Sequence, residues 1–372
     1  MRYFTRHYDG ASASVAVFDT GRAEAHAFIH ADGRSCPFSH QLKALLSAAE
    51  SVVAELDMQP VFKRYFLSDA TNQSVELPAV SSCATSVIQQ PPLDGTKVGL
   101  LLVCQADGSF RDNGNGLWAD SRGRIWAGDN DRSIAAASSE TMTGNYLEWL
   151  ADELKERGAS LKDNCVRTWF FVRDVDCNYA GVVKGRNEVF GRHGLTSDTH
   201  FIASTGIAGQ CADTSRTVAF NAFADASLKP EQVTFLYGKT HLNPTYEYGV
   251  AFERATRVDY GDRRQIYISG TASIDNKGNI VAPGDITAQT DRMLENIGVL
   301  LAEGGCEWDD VAHMIVYLRD VADYDTVSRI FERRFPSVPK ILVLAPVCRP
   351  GWLIETECMA IRQQSLPQYA AF

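Results

Sequence analysis

The sequence lacks several features by which membrane, secreted and nucleic-acid-binding proteins are recognised. Its longest apolar stretches, such as VGLLLV at 98–103, are far too short to cross a bilayer. The opening MRYFTRHYDG has no apolar core after a basic start, so no secretory signal is expected. The formal net charge of −10 argues against nucleic-acid and membrane partners. A locally basic pocket could still hold a small anionic substrate.

Motifs for metal binding and nucleophilic catalysis are also missing. The nine cysteines include no CxxC pair, which favours reduced thiols in a cytoplasmic protein. The eight histidines are dispersed, and His26 and His30 have no third ligand nearby in the sequence. No Gly-x-Ser-x-Gly motif appears. Cys348 is a lone thiol on an apolar segment, where a cysteine usually belongs to the core. We therefore expect neither a metal nor a cofactor.

The chain contains an internal repeat. Residues 147–194 and 297–338 both contain a helix, a glycine-containing stop, a short apolar strand, the tripeptide Arg-Asp-Val and a second helix. The tripeptide begins at Arg173 in the first copy and at Arg319 in the second. The repeat predicts a duplicated domain, with residues 231–372 as the better-defined copy. Residues 1–230 then form a degenerate N-terminal copy, and 225–233 is the linker region.

The second copy has the clearer pattern of secondary structure. RRQIYISGTASID predicts a strand, and GDITAQTDRMLENIGVLLAEGG predicts an amphipathic helix capped by Asp285. A strand (VAHMIVYLRDV) and a helix (DYDTVSRIFERRF) follow. We expect KILVLAPVC and WLIETECMAI to close the unit as a hairpin around Pro350-Gly351. The pattern predicts an α+β fold of two β-β-α-β-α-β-β layers. The Gly-, Asp- and Asn-rich residues 105–133 predict a hairpin insertion in the first layer.

Two glutamates lie close together in the apolar segment VCRPGWLIETECMAIR. Side chains alternate along a strand, so Glu355 and Glu357 face the same side, and the expected hairpin adds Cys348 to that side. Burial and a neighbouring carboxylate both raise the pKa of a glutamate. A carboxyl group that stays protonated near neutral pH can act as a general acid. The alternative is a wet sheet face on which both glutamates are simply solvated.

Two other segments contain candidate binding residues. In NPTYEYGVAFERATRV, Tyr248 and Phe252 could form aromatic walls and Arg254 could supply a fixed cation. Arg254 could equally be a surface charge. In THFIASTGIAGQ, the backbone N–H groups around Thr205 and Gly206 could bind an anion. The same residues also fit a tight turn.

Residues 262–362 resemble the Rid/YjgF family. The matching segments are IYISGTASID, the helix GDITAQTDRMLENIGVLLAEGG, VYLRDVADY and the closing IETECMAI. The resemblance implies that Glu355 is an active-site residue. It also places Lys340 where the family has a substrate-binding arginine. Lysine cannot form the same forked contact with a carboxylate, so the usual enamine/imine deaminase activity is in doubt.

Residues 65–362 together resemble the chorismatases, in which a degenerate copy precedes a Rid-like domain. The segments are RNEVFGRHG, ASTGIAG, YEYGVAFERA, SGTASI and VCRP followed by IETE. The resemblance implies cleavage of chorismate to pyruvate and a cyclohexadiene diol or a hydroxybenzoate, without metal or cofactor. It makes Glu355 the general acid and Arg254, Arg349 and Lys340 ligands of the substrate carboxylates. A cysteine at position 348 resembles the type that forms hydroxybenzoate, which favours 3-hydroxybenzoate.

Two other functions and two assembly states stay open at this stage. A Rid-type imine deaminase would hydrolyse 2-iminopropionate, and a non-catalytic Rid relative would bind a small metabolite or a partner. Rid domains usually form trimers whose sites lie between subunits. A fused chain could contain part of that arrangement, so both a monomer and a homotrimer are compatible with the sequence.

Overall fold

The computed structural model describes residues 1–114, 116–128 and 138–372, whose strands form three six-stranded mixed sheets. We call them unit 1, unit 2 and unit 3 in chain order. Unit 1 contains β1 (Arg2–Tyr8), β2 (Ala11–Phe18), β3 (Glu24–Ala31), α1 (Phe38–Leu56), β4 (Gln59–Leu67), α2 (Ala70–Gln73), β5 (Ala84–Gln89) and β6 (Val98–Gln105). Unit 2 contains β7 (Arg111–Asp112), β8 (Leu117–Ala119), β9 (Arg124–Ala127), α3 (Ser139–Lys155), α4 (Leu161–Asn164), β10 (Cys165–Val172), α5 (Val175–Arg192), β11 (Ala203–Ala208) and β12 (Val218–Asp225). Unit 3 contains β13 (Val233–Leu236), β14 (Ala255–Asp259), β15 (Arg263–Ala272), α6 (Ile286–Glu303), β16 (Val311–Leu318), α7 (Tyr324–Arg334), β17 (Lys340–Leu344) and β18 (Ile354–Gln363).

All three sheets have the same strand order. The orders are β1-β2-β3-β6-β4-β5, β7-β8-β9-β12-β10-β11 and β13-β14-β15-β18-β16-β17. One edge strand of each unit pairs in parallel with its neighbour. These strands are β5 (with β4), β11 (with β10) and β17 (with β16), and they are called the edge strands below. The remaining pairs are antiparallel. The expected α+β class and the repeated Rid-like layer are confirmed. The number of layers is three rather than two.

The third layer lies within the region that the sequence assigned to one degenerate domain, residues 1–230. The expected hairpin insertion at 105–133 contains strands β7, β8 and β9, which open unit 2. These strands have two to four residues, so they are too short to show the alternation by which a strand is recognised. Unit 3 begins with β13, close to the expected boundary at 230. Whether the units fold as independent domains stays a prediction.

The internal repeat corresponds to equivalent elements of units 2 and 3. Arg173 directly follows β10 and Arg319 directly follows β16, and a helix comes next in both units. The Asp285 carboxylate caps α6 by accepting a hydrogen bond of 3.0 Å from the Ala288 N–H. The expected closing hairpin is wrong. Within its own sheet strand β17 pairs with β16, and β18 lies between β15 and β16, because the chain after β17 crosses the end of the sheet before it returns.

The three units form a closed ring around a shared core. The segment after the edge strand of each unit bridges the edge strand of another unit. The bridged pairs are Pro92–Val343, Val347–Ile207 and Gln210–Gln89. One face of each sheet packs on the helices of its own unit, and the other face joins a common apolar core to which all three units contribute. In the part of the chain that the structure describes, no helix is long and apolar enough to span a membrane.

Candidate active site

A cleft between units 2 and 3 contains most of the candidate residues. Glu355 is the second residue of β18, where it pairs with Tyr317 on β16 and Ala272 on β15. Unit 2 closes the other side with α5 and β11. The residues that line the cleft are Tyr179, Arg186, Ser204, Gly206, Tyr248, Val250, Phe252, Arg254, Gly270, Ala272, Ile274, Cys348, Arg349, Trp352 and Glu355. Glu355, Arg254, Arg349, Tyr248, Phe252, Cys348 and Gly206 therefore come together as expected.

Glu355 is a buried carboxyl group at the base of the cleft. It is 4% exposed, so the alternative of a solvated sheet face is wrong. Burial raises the pKa of Glu355 to about 8, and the neighbouring carboxylate of Glu357 acts in the same direction. Arg167 and Arg254 oppose the shift. Gly270 lies against this carboxyl group, and a Cβ at that position would overlap Glu355 Oε1. The side chain is therefore held protonated near neutral pH in a space that requires a glycine.

Glu357 has the opposite surroundings, although it is only two residues away. Its carboxylate accepts hydrogen bonds from Arg167 Nη2 at 2.8 Å, from Trp169 Nε1 at 2.8 Å and from Thr205 Oγ1 at 2.5 Å. Thr205 Oγ1 in turn accepts the Gly270 N–H at 2.9 Å. Such charge-assisted bonds hold a carboxylate in place. Glu357 therefore joins units 2 and 3 behind the cleft and leaves Glu355 as the carboxyl group that faces it.

Three arginines face the cleft without a carboxylate partner within 4 Å among the described residues. Arg254 is buried, and both Nε and Nη2 donate to the backbone oxygen of Asn243. Arg349 is half-buried, with its guanidinium carbon 4.1 Å from the centre of the Tyr248 ring. Arg186 on α5 is 1% exposed, and its Nε and Nη2 atoms have no hydrogen-bond partner. Buried donors of this kind are usually paired, so these two N–H groups are available to a hydrogen-bond acceptor in the cleft.

Aromatic rings form the walls of the cleft. Tyr248 and Phe252 are the expected walls, and Arg254 lies 5.6 Å and 5.4 Å from their ring centres. Tyr179 from unit 2 and Trp352 from unit 3 complete them. Trp352 donates its indole N–H to the Ser273 backbone oxygen at 3.1 Å. Flat rings on several sides suit a flat, cyclic substrate.

The cysteine in the cleft is a neutral thiol. Burial raises the pKa of Cys348 to about 12, and the nearby Glu355 adds to the shift. A thiolate rather than a thiol is the nucleophile in cysteine chemistry. Cys348 is therefore positioned to shape the cleft and to contact a substrate rather than to attack it.

Lys340 does not belong to this cleft. Its ammonium group donates to the Phe335 backbone oxygen at 2.8 Å, and its own backbone oxygen lies 3.2 Å from the ring of His30 in unit 1. Lys340 lies outside the cleft because β17, the strand that it begins, is at the edge of the sheet of unit 3 and contacts unit 1. Ser204 holds the matching place in β11, and both residues lie four positions before the last paired residue of their strand. A serine thus lines the cleft where the family resemblance implied a cation.

Thr205 and Gly206 have roles that differ from those expected. Residues 203–208 form strand β11, so they are neither an anion-binding loop nor a tight turn. Thr205 is buried behind the cleft, where its hydroxyl contacts Glu357. Gly206 makes room for a ring, because a Cβ there would lie 2.7 Å from Tyr179 Cε2. The small residues of ASTGIAG therefore let another side chain approach the backbone.

Sequence reasoning missed Arg186, Tyr179, Ser204 and Trp352. All but Trp352 belong to unit 2, and the sequence pattern gave no sign that α5 and β11 would face β18. One signal was present: Arg186 opens RNEVFGRHG, a segment quoted for the family resemblance without a role for any residue. Trp352 precedes β18 in an irregular segment, so strand alternation did not place it.

The position of Glu355 has an equivalent in each of the other two units, and neither equivalent residue is acidic. Strand pairing aligns Glu355 with Ala219 in unit 2 and Gly99 in unit 1. The aligned pairs are Tyr317–Glu355, Phe171–Ala219 and Phe66–Gly99. Neither alanine nor glycine can transfer a proton. The chain therefore contains three copies of the fold, and only the copy in unit 3 has a carboxyl group at this position. Among the described residues no group of three or more His, Cys, Asp or Glu side chains is placed to hold a metal.

Known proteins resemble this chain in sequence over part of its length and in fold over most of it. The endoribonuclease L-PSP family matches residues 252–362. The 2-iminobutanoate/2-iminopropanoate deaminase of Mus musculus is 30% identical over 113 residues, which cover 30% of this chain and 81% of that protein. The 3-aminoacrylate deaminase RutC of Acinetobacter baylyi is 32% identical over 97 residues, which cover 26% of this chain and 77% of that protein.

A crystal structure of chorismatase resembles the whole arrangement of units. It covers 81% of this chain and 92% of its own length, with a TM-score of 0.62 and 20% sequence identity. At that identity the likeness shows a shared fold. The family match at residues 252–362 lies in unit 3, and the deaminase relatives are 30% and 32% identical to this chain over stretches of similar length. The chain therefore belongs to the endoribonuclease L-PSP (Rid/YjgF) family through unit 3, and its fold as a whole is that of chorismatase.

Proposed function

We propose that this protein cleaves the enol ether of chorismate to pyruvate and a hydroxybenzoate or a cyclohexadiene diol. Glu355 is the general acid of this reaction. The observation that carries the proposal is the combination in one cleft of a buried carboxyl group, whose pKa is raised to about 8, and three guanidinium groups without a carboxylate partner among the described residues. A dianionic ring substrate that requires protonation matches both features.

The three arginines supply the charge that such a substrate needs. Chorismate carries one carboxylate on its ring and one on its enolpyruvyl group. Arg186 from unit 2 and Arg254 and Arg349 from unit 3 approach from both sides of the cleft. Arg254 is held by Asn243 and Arg349 is stacked on Tyr248, so both guanidinium groups are oriented by contacts within unit 3 before a substrate arrives. Arg186, with two free donors, binds one carboxylate in a forked contact.

The reaction begins with transfer of the Glu355 proton to the methylene carbon of the enol ether. The electron pair of the C=C bond forms the new C–H bond and leaves an oxocarbenium-like carbon. Water adds to that carbon and returns a proton to the Glu355 carboxylate. The resulting hemiketal then breaks its bond to the ring oxygen and gives pyruvate and the diol. If a ring hydroxyl attacks that carbon in place of water, a cyclic ketal forms and the hydroxyl proton returns to the Glu355 carboxylate. Pyruvate then leaves with this oxygen as its bond to the ring breaks, the enol-ether oxygen stays on the ring, and loss of the proton from the ring carbon that bears it gives the aromatic hydroxybenzoate. Protonation by a positioned acid contributes roughly 10²–10⁴ to the rate of such a step.

The side chain at position 348 is proposed to choose between these outcomes. Cys348 lines the cleft, and both Glu355 and Tyr179 are close enough to affect the titration of its thiol. A neutral, weakly polar thiol does not position an attacking water as well as a stronger hydrogen-bonding group. We therefore favour 3-hydroxybenzoate as the product.

A second candidate is a Rid-type enamine/imine deaminase. The observation in its favour is the 30% identity between the region of unit 3 and proteins that are named as deaminases. Against it, the cleft has Ser204 at the position where the resemblance to the deaminases implies a cation that binds the substrate. The cations of the cleft are Arg186, Arg254 and Arg349 instead. Hydrolysis of 2-iminopropionate at a rate above that of free solution would favour this reading. Tight binding of chorismate without any turnover would favour the third reading, a non-catalytic metabolite-binding protein.

The decisive test is to incubate the protein with chorismate and to follow pyruvate with lactate dehydrogenase, while chromatography identifies the ring product. Glu355→Gln is expected to lower the rate by roughly 10²–10⁴ because it removes the transferable proton and keeps the shape. Glu307→Gln, on an exposed carboxylate, is the matched control and is expected to keep full activity. Turnover that survives Glu355→Gln, or wild-type protein that releases no pyruvate above background, would contradict the proposal.

A further inference from the structure

Two guanidinium groups are buried where the three sheets meet, and a single carboxylate accompanies them. Arg64 of β4 is 1% exposed and Arg167 of β10 is 2% exposed. Glu357 Oε2 lies 2.8 Å from Arg167 Nη2, and Glu357 Oε1 lies 3.8 Å from Arg64 Nη1. Within the described residues no other carboxylate lies within 4 Å of either guanidinium. Buried charge is costly unless it is balanced, and this cluster has one positive charge in excess.

The neighbouring titratable groups do not supply the missing negative charge. His313 lies beside the cluster, and burial together with the nearby cations holds its pKa well below the usual range, so it is neutral. His26 Nδ1 lies 2.9 Å from His313 Nδ1, and its other ring nitrogen contacts Glu24. Glu24 is itself paired with Arg263 at 3.1 Å. The nearest negative charge to Arg64 is therefore Glu357, which lies 3.8 Å away and is already paired with Arg167.

Hydrogen-bond donors in the same cluster also lack partners. The Arg64 Nε–H and the Tyr317 hydroxyl are buried without an acceptor, and Arg64 Nη2 makes one long bond of 3.3 Å to Asn221 Oδ1. The Arg64 guanidinium carbon lies 5.0 Å from the Trp169 ring centre and 4.9 Å from that of Phe171. Ring faces offset part of a cation's charge. The N–H groups of a guanidinium point outwards within its plane, and a nearby ring does not replace the acceptor that a buried N–H group needs.

A small cavity, here called the axial cavity, adjoins these groups. Its volume is about 30 Å³. The lining residues are His26, Phe62, Arg64, Leu101, Val103, Trp126, Arg167, Trp169, Tyr267, Ile268, His313, Glu357, Cys358 and Met359. A volume of this size accepts one water molecule or one monoatomic ion, and it is too small for phosphate, sulfate or a carboxylic acid. A water molecule would accept a hydrogen bond but would leave the excess charge unbalanced.

We propose that the axial cavity binds one small monovalent anion of the halide class, such as chloride, between Arg64 and Arg167. The ion accepts the free Arg64 N–H group and balances the second guanidinium. Glu355 does not line this cavity, so the site is separate from the active-site cleft and does not depend on the proposed reaction.

Crystals grown or soaked in sodium bromide test the site directly, because bromide scatters anomalously at its absorption edge. We expect one anomalous peak in the axial cavity, within hydrogen-bond distance of Arg64. Water density at that position without an anomalous peak would overturn the proposal.

Thermal unfolding provides the second measurement. At constant ionic strength, Tm is expected to rise by a few degrees when sodium gluconate is replaced with sodium chloride, because the ion binds only the folded state. Arg64→Met is expected to remove this dependence, whereas Arg334→Met, on an exposed ion pair, is expected to keep it. A wild-type Tm that does not respond to chloride contradicts the site. If Arg64→Met does not fold, the wild-type halide series and the bromide crystals decide.

Discussion

Glu355 and Glu357 lie on the same strand face, and their different environments give them different tasks. Glu357 accepts hydrogen bonds from three side chains of unit 2, including Arg167. Glu355 accepts none from the described residues, and burial dominates its titration. Two carboxyl groups with such different surroundings are the usual way in which a protein keeps one acid protonated and another ionised at the same pH.

The pH dependence of turnover follows from the pKa of Glu355. The acid must be protonated to act, and its pKa is raised to about 8. We therefore expect kcat/KM to be constant below about pH 7 and to fall tenfold per pH unit above about pH 8.5, because kcat/KM reports the pKa of the free enzyme. Steady-state pyruvate release between pH 6 and 10 measures this limb. A rate that falls on the acidic side of neutrality would mean that Glu355 acts as a base.

The same shift predicts a dependence of stability on pH that needs no substrate. The pKa of Glu355 is raised from 4.5 to about 8, so the folded state keeps a proton that the unfolded state releases. The associated stability is fully present below pH 4.5 and is lost as pH rises through 8, by at most about 1.4 kcal/mol per unit. Glu355→Gln is expected to be more stable than wild type at pH 8. Urea unfolding of both proteins at pH 5 and 8 checks this, and an equal difference at both values would contradict it.

Arg186 is expected to be the main carboxylate ligand from unit 2. Arg186→Met keeps much of the side-chain volume and removes the charge, and it breaks no ion pair within the described residues. A charge-assisted hydrogen bond contributes about 1.5–3 kcal/mol, so KM is expected to rise roughly ten- to hundredfold. Arg192→Met on the same helix is the matched control, since Arg192 pairs with Glu148 and Glu188 at the exposed surface. Equal kinetics for the two variants would remove Arg186 from the site.

At the scale of elements, the segment between β13 and β14 governs access to the cleft. This segment includes a short helical turn, Thr245–Tyr248, and carries Tyr248 and Phe252. The free volume of the cleft is about 30 Å³, whereas pockets for ligands of this class measure roughly 300–1,000 Å³. We therefore predict that a ring substrate enters when this segment moves, and one side chain of unit 2 holds the segment in its present position. Asn187 on α5 donates to the Gly249 oxygen at 2.9 Å and accepts the Ala251 N–H at 3.2 Å.

Release of this contact should change binding more than chemistry. Asn187→Ala removes both hydrogen bonds, so the segment is expected to open more often and KM to rise roughly three- to tenfold, with kcat nearly unchanged. Hydrogen exchange of residues 245–251 should become faster in the variant. Lys184→Ala, at an exposed position of the same helix, is the control. A loss of kcat without a change in KM would show that Asn187 acts on the reacting groups instead.

At the scale of the whole molecule, the chain contains within itself the three-unit ring that separate Rid subunits usually assemble. The bridges Pro92–Val343, Val347–Ile207 and Gln210–Gln89 lie along one edge of each sheet, formed by β17, β11 and β5. An edge strand that already contacts a neighbouring unit is less available to another chain. We therefore predict a monomer, the first of the two assembly states that the sequence allowed.

Assembly and stoichiometry can be measured together. Light scattering in solution is expected to give the mass of one chain at micromolar concentration. Titration of Glu355→Gln with chorismate is expected to give one site per chain, because Ala219 and Gly99 replace the acid in the other two units. A trimeric mass would contradict the self-contained ring, and three equal sites would contradict the single cleft.

The sequence by itself determined most elements of unit 3, the repeat that units 2 and 3 share around Arg173 and Arg319, and the placement of Glu355 and Glu357 on one strand face. These depend on local patterns: helical periodicity, capping by Asp285 and alternation along one strand. The same local information failed for β7–β9, where two to four residues carry no periodicity, and for the closing hairpin, since two adjacent apolar segments do not reveal whether they pair with each other.

Only the tertiary structure decided which residues share the cleft. Lys340 and Glu355 are close in sequence yet face different units, whereas Arg186 and Glu355 are far apart in sequence and line the same cleft. Closure of the ring joins each edge strand to a neighbouring unit, and this long-range packing has no trace in a local pattern. The burial that raises the pKa of Glu355 is likewise a property of the assembled units, because Glu355 lies in a cleft that units 2 and 3 form together.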